Sequence, residues 1–531
     1  MPVESLKKMR YSRRQIVKAL GHSALAWPLL GCTRHATVFT PEDFRRPGDS
    51  DRIALQRLAD QLGATVHGRI DRAYRIDRQI EIVDKSDFKL FGSGSITIED
   101  NTPPDYGGSA LYLAGCRHFM MAELTCDGNR SRREAREAAG HLIVLDACRD
   151  FHLLRVKAIN GTSDGFIVHT SKTRGTGPGG QVVLADIPSG WLMENCEAHN
   201  NFRQGLSVIE SIDFKIIGGI FARTSGSWDA EGSRGPSAGI DLEPDEASDY
   251  PAGRLSQGTI SGVSFVENQG PGLQISGIAD THSITVDRCM FDGNRRAAII
   301  CGARDCQILH PLISRWTNQP YVERSGAPIK RGAIDLPMNA GPRISIVAPE
   351  FVDCDNGAST GNPLIYAHGL AREGILIDRM RAGPGASFIA SLHSPGVSFT
   401  NAKIDLTGAR IEPAFVFLGE RPKMTNSRIS NVFERLIYSA AIDLAVTGNS
   451  ITVAVASETN AIVSASEGKT ARIHDNEIMF RTGAHVVEYD LPVGSEVIDN
   501  RSYGNANPLW FRAPSPRAVA NNIRYASNFA N

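Results

Sequence analysis

The sequence has no run of about 18 or more apolar residues, which argues against a permanent membrane-spanning helix. It has no excess of either charge. The formal net charge is -1 at pH 7, so there is no global basic field to hold nucleic acid. A P-loop, a GxSxG elbow, an HExxH pair and a dinucleotide fingerprint are all missing from any supporting context. No two of the 9 cysteines stand at CxxC spacing, which argues against a structural zinc. Helical periodicity is nearly absent. One stretch shows it: Ile53, Ala54, Leu55, Leu58 and Leu62 form an apolar stripe that Ser50 or Asp51 can cap.

What remains is a chain of 531 residues with 51 glycines and scattered Asn and Asp, a composition of many turns. Short β-like runs begin at Ile80, Phe88 and Ser95. A small residue followed by apolar residues in alternation then recurs, with first apolar positions at Leu111, Leu142, Phe166, Leu206, Ile240, Leu273 and Ile299. The same pattern continues at Ile334, Ile365, Phe388, Phe415, Ile437, Ile462 and Val487. A period in the twenties to thirties, built of strands, predicts a solenoid in which each coil buries its core against its neighbours. The fold expected is an all-β parallel β-helix with an N-terminal capping helix. Residues 33–74 would be linker and helix, 75–490 the coils, and 491–531 a terminal cap.

Asn160, Asn200, Asn268 and Asn294 each precede a strand start by a few residues and are expected to stack as an amide ladder at one turn. The cysteines beyond Cys32 are expected to be buried thiols rather than disulfides. Arg130, Arg132, Arg133 and Arg136 alternate with Glu134 and Glu137, as in a solvated helical insertion with paired charges.

The longest coils fall between Phe166 and Leu273. Extra residues in a solenoid become loops over one face, often the binding face. In the middle lies Gly239-Ile240-Asp241-Leu242-Glu243-Pro244-Asp245. Strand side chains alternate faces, so Ile240 and Leu242 point into the core while Asp241 and Glu243 share an exposed outer face. Two carboxylates there repel each other unless a proton, a cation or a substrate uses them.

Two resemblances add to this. Ser12-Arg13-Arg14-Gln15-Ile16-Val17-Lys18 and the apolar run after it resemble a twin-arginine export signal, and Leu29-Leu30-Gly31-Cys32 resembles a lipoprotein signal. Together they imply that residues 1–32 are a targeting segment and that the protein is exported, periplasmic or at the cell surface. Cys32 would carry a lipid, the one link to a membrane. The alternative is an ordinary signal cut nearby. The stretch from Asn200 to Asp245, with its GIDLEP run, resembles right-handed β-helix proteins of bacteria and phages in the pectate-lyase-like superfamily, which implies a right-handed coil. That superfamily spans hydrolases, lyases, epimerases and binders, so fold alone does not choose among them.

Three functions follow. The first is hydrolysis of a polysaccharide's glycosidic bonds, with Asp241, Glu243 and Asp245 as acid and base. Arg203, Gln204, His169, Gln274, Trp228 and Arg254 would bind the sugar. This reading needs no cofactor. The second is a polysaccharide lyase with calcium on Asp241 and Glu243. The third is a non-catalytic carbohydrate-binding or surface protein.

Overall fold

The computed structural model describes residues 36–511. The exceptions are short stretches, chiefly 103–108, 134–139, 177–181, 227–236, 245–253, 317–320, 323–327, 355–361, 369–373, 408–412, 455–460, 466–469, 481–486, 492–494 and 504–508. Three long sheets of 17, 16 and 16 strands carry nearly all of it, and their strands pair in parallel from coil to coil. Each coil supplies one strand to a first, a second and a third sheet in that order. The opening coil does so with Val66–Arg69, Ala73–Ile76 and Ile80–Val83. The fold is a right-handed parallel β-helix, the hand expected of parallel crossovers. No helix among the described residues is long and apolar enough to cross a membrane.

The helix Asp51–Gln61 starts where Ser50 accepts a hydrogen bond from the Ile53 N–H. Its buried Leu55, Leu58 and Ala59 join the same apolar cluster as Ile70, Ile80 and Ile82 of the first coil. Inside the coils, like residues stack. Phe88, Phe119, Phe151, Trp191 and Phe214 form a column with ring centroids 5.1, 5.3, 5.5 and 5.0 Å apart. Such stacked pairs add about 0.5–1.5 kcal/mol each beyond their burial. The column stops at the next coil because Gly258 takes the following place. A Cβ there would meet the Phe214 ring at 2.3 Å.

The register confirms the central reading. Phe166, Leu206, Ile240 and Leu273 are successive partners in the third sheet. Elsewhere the phase shifts: Ile143, not Leu142, pairs with Leu111 and Phe166, and Ala390, not Phe388, pairs with Ile365. Val463 replaces Ile462, and Val487 pairs with Ala461, so Tyr489 holds the equivalent position. Leu142 and Phe388 are apolar residues just before their strands, and Ile462 and Val487 are residues within theirs at another register position.

The turns divide sharply. From Ala122 to Arg501, every turn between the first and second sheets is two residues long. Its first residue has a positive φ, as at Glu123, Arg155, Asn195, Gly218 and Asp475. Its second residue is usually turned into the core, as at Val156, Cys196, Val263 and Cys289. All the long connections lie on either side of the third sheet, including 170–188, 223–239 and 243–253.

The amide ladder differs from the expected one. Asn160 and Asn200 are the positive-φ residues of their turns. Asn201, Asn268 and Asn294 are the buried ones. Asn268 Nδ2 donates to Asn294 Oδ1 at 2.9 Å and to the Phe221 carbonyl at 3.1 Å. A second ladder, Asn449–Asn476–Asn500, runs through the tight turns with amide bonds of 2.9 and 2.8 Å. The eight described cysteines are buried thiols. The arginine run is described only up to Arg133. Residues Arg130–Arg132 make one short turn. Arg130 is half-buried and bonds Ser225, while Arg133 Nη1 donates to the Gly128 carbonyl at 3.1 Å. Arg136, Glu134 and Glu137 lie outside the described residues.

Candidate functional site

The outer face of the third sheet is a trough. Val144, Ile167, Ser207, Asp241 and Ile300 are successive or near-successive residues of one outward column. Although they point away from the core, none is more than 8% exposed. In the second sheet, the outward residues Ile220, Met290 and Leu312 are exposed by 36–38%. Only the third sheet has long connections on both sides.

Asp241 stands on this floor with no exposure at all. The expectation of two carboxylates on an exposed face is therefore half right: both face outward, but only Glu243 reaches solvent, with 36% of its side chain exposed. Gln204, one coil earlier, donates from Nε2 to Asp241 Oδ2 at 2.7 Å. Asp241 Oδ1 has no hydrogen-bond donor among the described residues, and the Glu243 carboxyl lies within hydrogen-bonding reach of Asp241. Burial, then the charge and contact of Glu243, push the Asp241 pKa well above the carboxylate range, against the smaller pull of Arg203 and Gln204. A carboxylic acid there stays protonated where ordinary ones ionise.

A second buried carboxylate behaves oppositely. Asp164 precedes Gly165 as Gln204 precedes Gly205, one coil apart. Its Oδ1 accepts from the Gln204 backbone N–H at 3.0 Å and its Oδ2 from Ser207 Oγ at 2.9 Å. His141 Nδ1 lies 3.0 Å from Oδ2, and Arg203 Nε lies 3.8 Å from Oδ1. Burial alone would raise this carboxyl. The His141 charge and hydrogen bond, then Arg203 and Ser207, overcome it and hold the pKa below the ordinary value. Asp164 thus stays ionised and orients Gln204 and Ser207, while Ser207 Oγ also lies 2.8 Å from Gln204 Oε1, its single proton serving one of the two acceptors at a time. Arg203 bridges the two halves, with Nη2 3.8 Å from Glu243 Oε2.

The structure therefore brings together Asp241, Glu243, Arg203 and Gln204, and adds Asp164, His141 and Ser207. The polar residue before a strand's glycine was the signal for Asp164. Gln274 pairs with Asp241 in the next coil and is partly exposed. His169 lies two coils back, in register with Asp146. Asp146 accepts from Tyr112 Oη at 2.7 Å and from the Ser171 backbone N–H at 2.8 Å. Burial raises the Asp146 pKa, but Ser171, Tyr112 and the His169 charge hold it below the ordinary value. Arg254 opens the strand Arg254–Ser261 of the first sheet. Asp245, Trp228 and Cys32 lie outside the described residues.

The site fits calcium poorly. Calcium takes 6–8 oxygen ligands, whereas no group of three or more His, Cys, Asp or Glu suited to a metal exists among the described residues. Arg203 already brings a positive charge to Glu243.

The chain is thus a right-handed parallel β-helix with a buried carboxyl, Asp241, beside a solvent-reaching one, Glu243, on the outer face of its third sheet. No protein-family model matches it and no curated protein matches it in sequence. Among solved structures it is similar to the pre-mature gene product 12 of bacteriophage phi29. The TM-score is 0.50 at 12% identity, over 87% of this chain and 69% of that one. The catalytic unit of a GH87 alpha-1,3-glucanase from Streptomyces thermodiastaticus gives a TM-score of 0.36 at 12% identity, over 86% and 70% of the two chains. The surface adhesin PfbA of Streptococcus pneumoniae gives 0.34 at 12% identity, over 89% and 93%. At such identities the likeness is one of fold.

Proposed function

We propose that the chain is a carbohydrate-active enzyme that hydrolyses glycosidic bonds of a polysaccharide laid along the third sheet. The observation that carries the reading is the buried Asp241 acid, oriented by Gln204 and in contact with the solvent-facing Glu243. Glycosidic cleavage needs a carboxylic acid that keeps its proton near neutral pH.

On this reading the adjoining carboxyls of Asp241 and Glu243 act as one acid. Glu243 reaches the substrate and protonates the leaving oxygen, and Asp241 is a positioning residue that stores the proton behind it. The opposing base comes from another residue, for which Asp245 is the candidate. Arg203 holds sugar hydroxyls or an acidic group.

The test is a panel of acidic and neutral polysaccharides, read by new reducing ends and by ultraviolet absorbance. Glu243→Gln is expected to lower turnover by about 10²–10⁴-fold, the range for losing a general acid. Turnover at the wild-type rate removes Glu243 from the chemistry. An unsaturated product that absorbs, formed only without chelator, supports a calcium-dependent lyase instead. Binding without turnover on every polymer supports the surface-protein reading.

We also propose export by the twin-arginine route, on the strength of Ser12-Arg13-Arg14 and the apolar run after it. Replacing Arg13 and Arg14 by lysine is expected to retain the protein in the cytoplasm, and unchanged periplasmic delivery would refute this.

A further inference from the structure

The tripeptide of the carboxyl site recurs. Ile240-Asp241-Leu242 is echoed by Ile334-Asp335-Leu336. Both aspartates occupy the same outward column, with Gln274 and Ile300 between them. Asp335 is also fully buried on the trough floor. Its partner is not a carboxyl but an imidazole, His368 Nε2 at 3.0 Å from Oδ1.

Around it stands a cluster that the carboxyl site does not use. Tyr366 follows Asp335 in the column and Ser391 follows Tyr366. The His368 ring lies 3.8 Å from the Tyr366 ring, tilted by 51°, and the His393 ring approaches Tyr366 edge-on at 5.4 Å. His393 Nε2 is 3.0 Å from Ser391 Oγ. Two imidazoles, each hydrogen-bonded from beneath, thus lie with a phenol ring on one face. Buried side-chain partners fix the imidazoles before any ligand arrives, so little ordering remains to be done for them on binding. His368 is still 21% exposed at its side chain.

The spacing says what such a cluster can meet. Neighbouring strands lie about 4.8 Å apart, close to the length of one pyranose unit in an extended glycan. Asp335 is three coils from Asp241, Tyr366 and His368 are four and His393 is five, so the rings stand roughly 19–24 Å along the axis, about four to five sugar units away. We propose that Tyr366, His368 and His393 form a distal subsite that binds a sugar unit of the same polysaccharide, about four to five units from the bond at Glu243. The aromatic and imidazole rings cover the sugar's apolar face. Asp335 acts through His368 as a positioning residue. This subsite rests on the polysaccharide reading of the face, and it does not require that Glu243 be the acid.

The test uses the full chain and the variants Tyr366→Ala, His393→Ala and His393→Gln. Probes are polygalacturonate, alginate, chondroitin sulfate and dextran, with disaccharides and hexasaccharides of whichever polymer the wild type binds. The hexasaccharide is expected to bind roughly tenfold more weakly to Tyr366→Ala and His393→Ala, the loss of one good contact. The disaccharide should be handled as by wild type. His393→Gln keeps a donor and should lose less. Equal hexasaccharide affinity in a variant with a wild-type circular dichroism spectrum overturns the subsite, as does failure of the wild type to bind any of the four polymers. If length dependence is lost in Tyr366→Ala while Glu243→Gln turns over normally, the subsite stands and the acid assignment falls.

Discussion

The protonated Asp241 can be tested without knowing the substrate. Its folded pKa is raised, first by burial and then by Glu243, above an unfolded value near 3.9. Between those two values the native coil holds a proton that the opened coil releases. The proton's contribution to stability is complete below the unfolded pKa and is lost as pH rises towards the folded one. The slope is about 1.4 kcal/mol per pH unit, a tenfold change in the opening equilibrium. Asp241→Asn imitates the neutral acid. Its amide oxygen still accepts from Gln204 Nε2 and its NH₂ takes the place of the acid's O–H, so the slope should vanish. The assay is native-state hydrogen exchange on peptides spanning residues 238–244, comparing wild type and variant at each pH so that intrinsic exchange rates cancel. Local exchange is preferred because long repeat arrays do not unfold as a single unit. Expected is near-equal protection at about pH 4. From there the variant should gain roughly tenfold per pH unit until the folded pKa is passed. A ratio that stays constant from about pH 4 to pH 7 would show that Asp241 is ionised like any other carboxylate, and the account of a protonated Asp241 would be wrong.

Asp164 should show the opposite sign. Its folded pKa is lowered, so its contribution is present above the unfolded value and lost as pH falls through the folded one. Asp164→Asn leaves His141 and Arg203 facing a neutral group, a loss of about 3–5 kcal/mol for breaking a buried pair. The melting difference from wild type should be largest near neutral pH and shrink in acid. Asn476→Ala removes bonds to the Val446 carbonyl at 2.9 Å and to Asn500 Oδ1 at 2.8 Å. The cost is about 1–3 kcal/mol for each buried group left unpaired. Exchange should quicken in residues 444–503 while turnover on any polysaccharide is untouched.

The third sheet was legible because its strands begin with a small residue and alternate apolar positions, as in Gly205-Leu206-Ser207-Val208. The first and second sheets were not, because their tight turns have no shared residue type. Glu123, Arg155, His310, Ala348 and Asp475 all hold the same positive-φ position. A coil stacked above and below imposes that conformation whatever the side chain's own preference. Asp241 and Glu243 stood out because two carboxylates two residues apart must share a strand face. Their burial did not show, since it depends on connections from other coils. Asp164, His141 and Ser207 lay hidden because they reach the site from earlier coils. Asp335 was passed over because Pro337 follows Leu336, where Glu243 follows Leu242, so the repeated tripeptide lost its acidic companion.

The two-residue turns carry a consequence for how such a chain can change. A residue inserted there would displace a stacked side chain, such as Cys196 or Asn476, and throw every coil behind it out of step. The connections beside the third sheet have no such duty. They can lengthen, shorten or exchange without moving a strand. One edge of the molecule keeps time for the whole, and its neighbouring face is free to acquire a new specificity while the rest of the chain stays as it is.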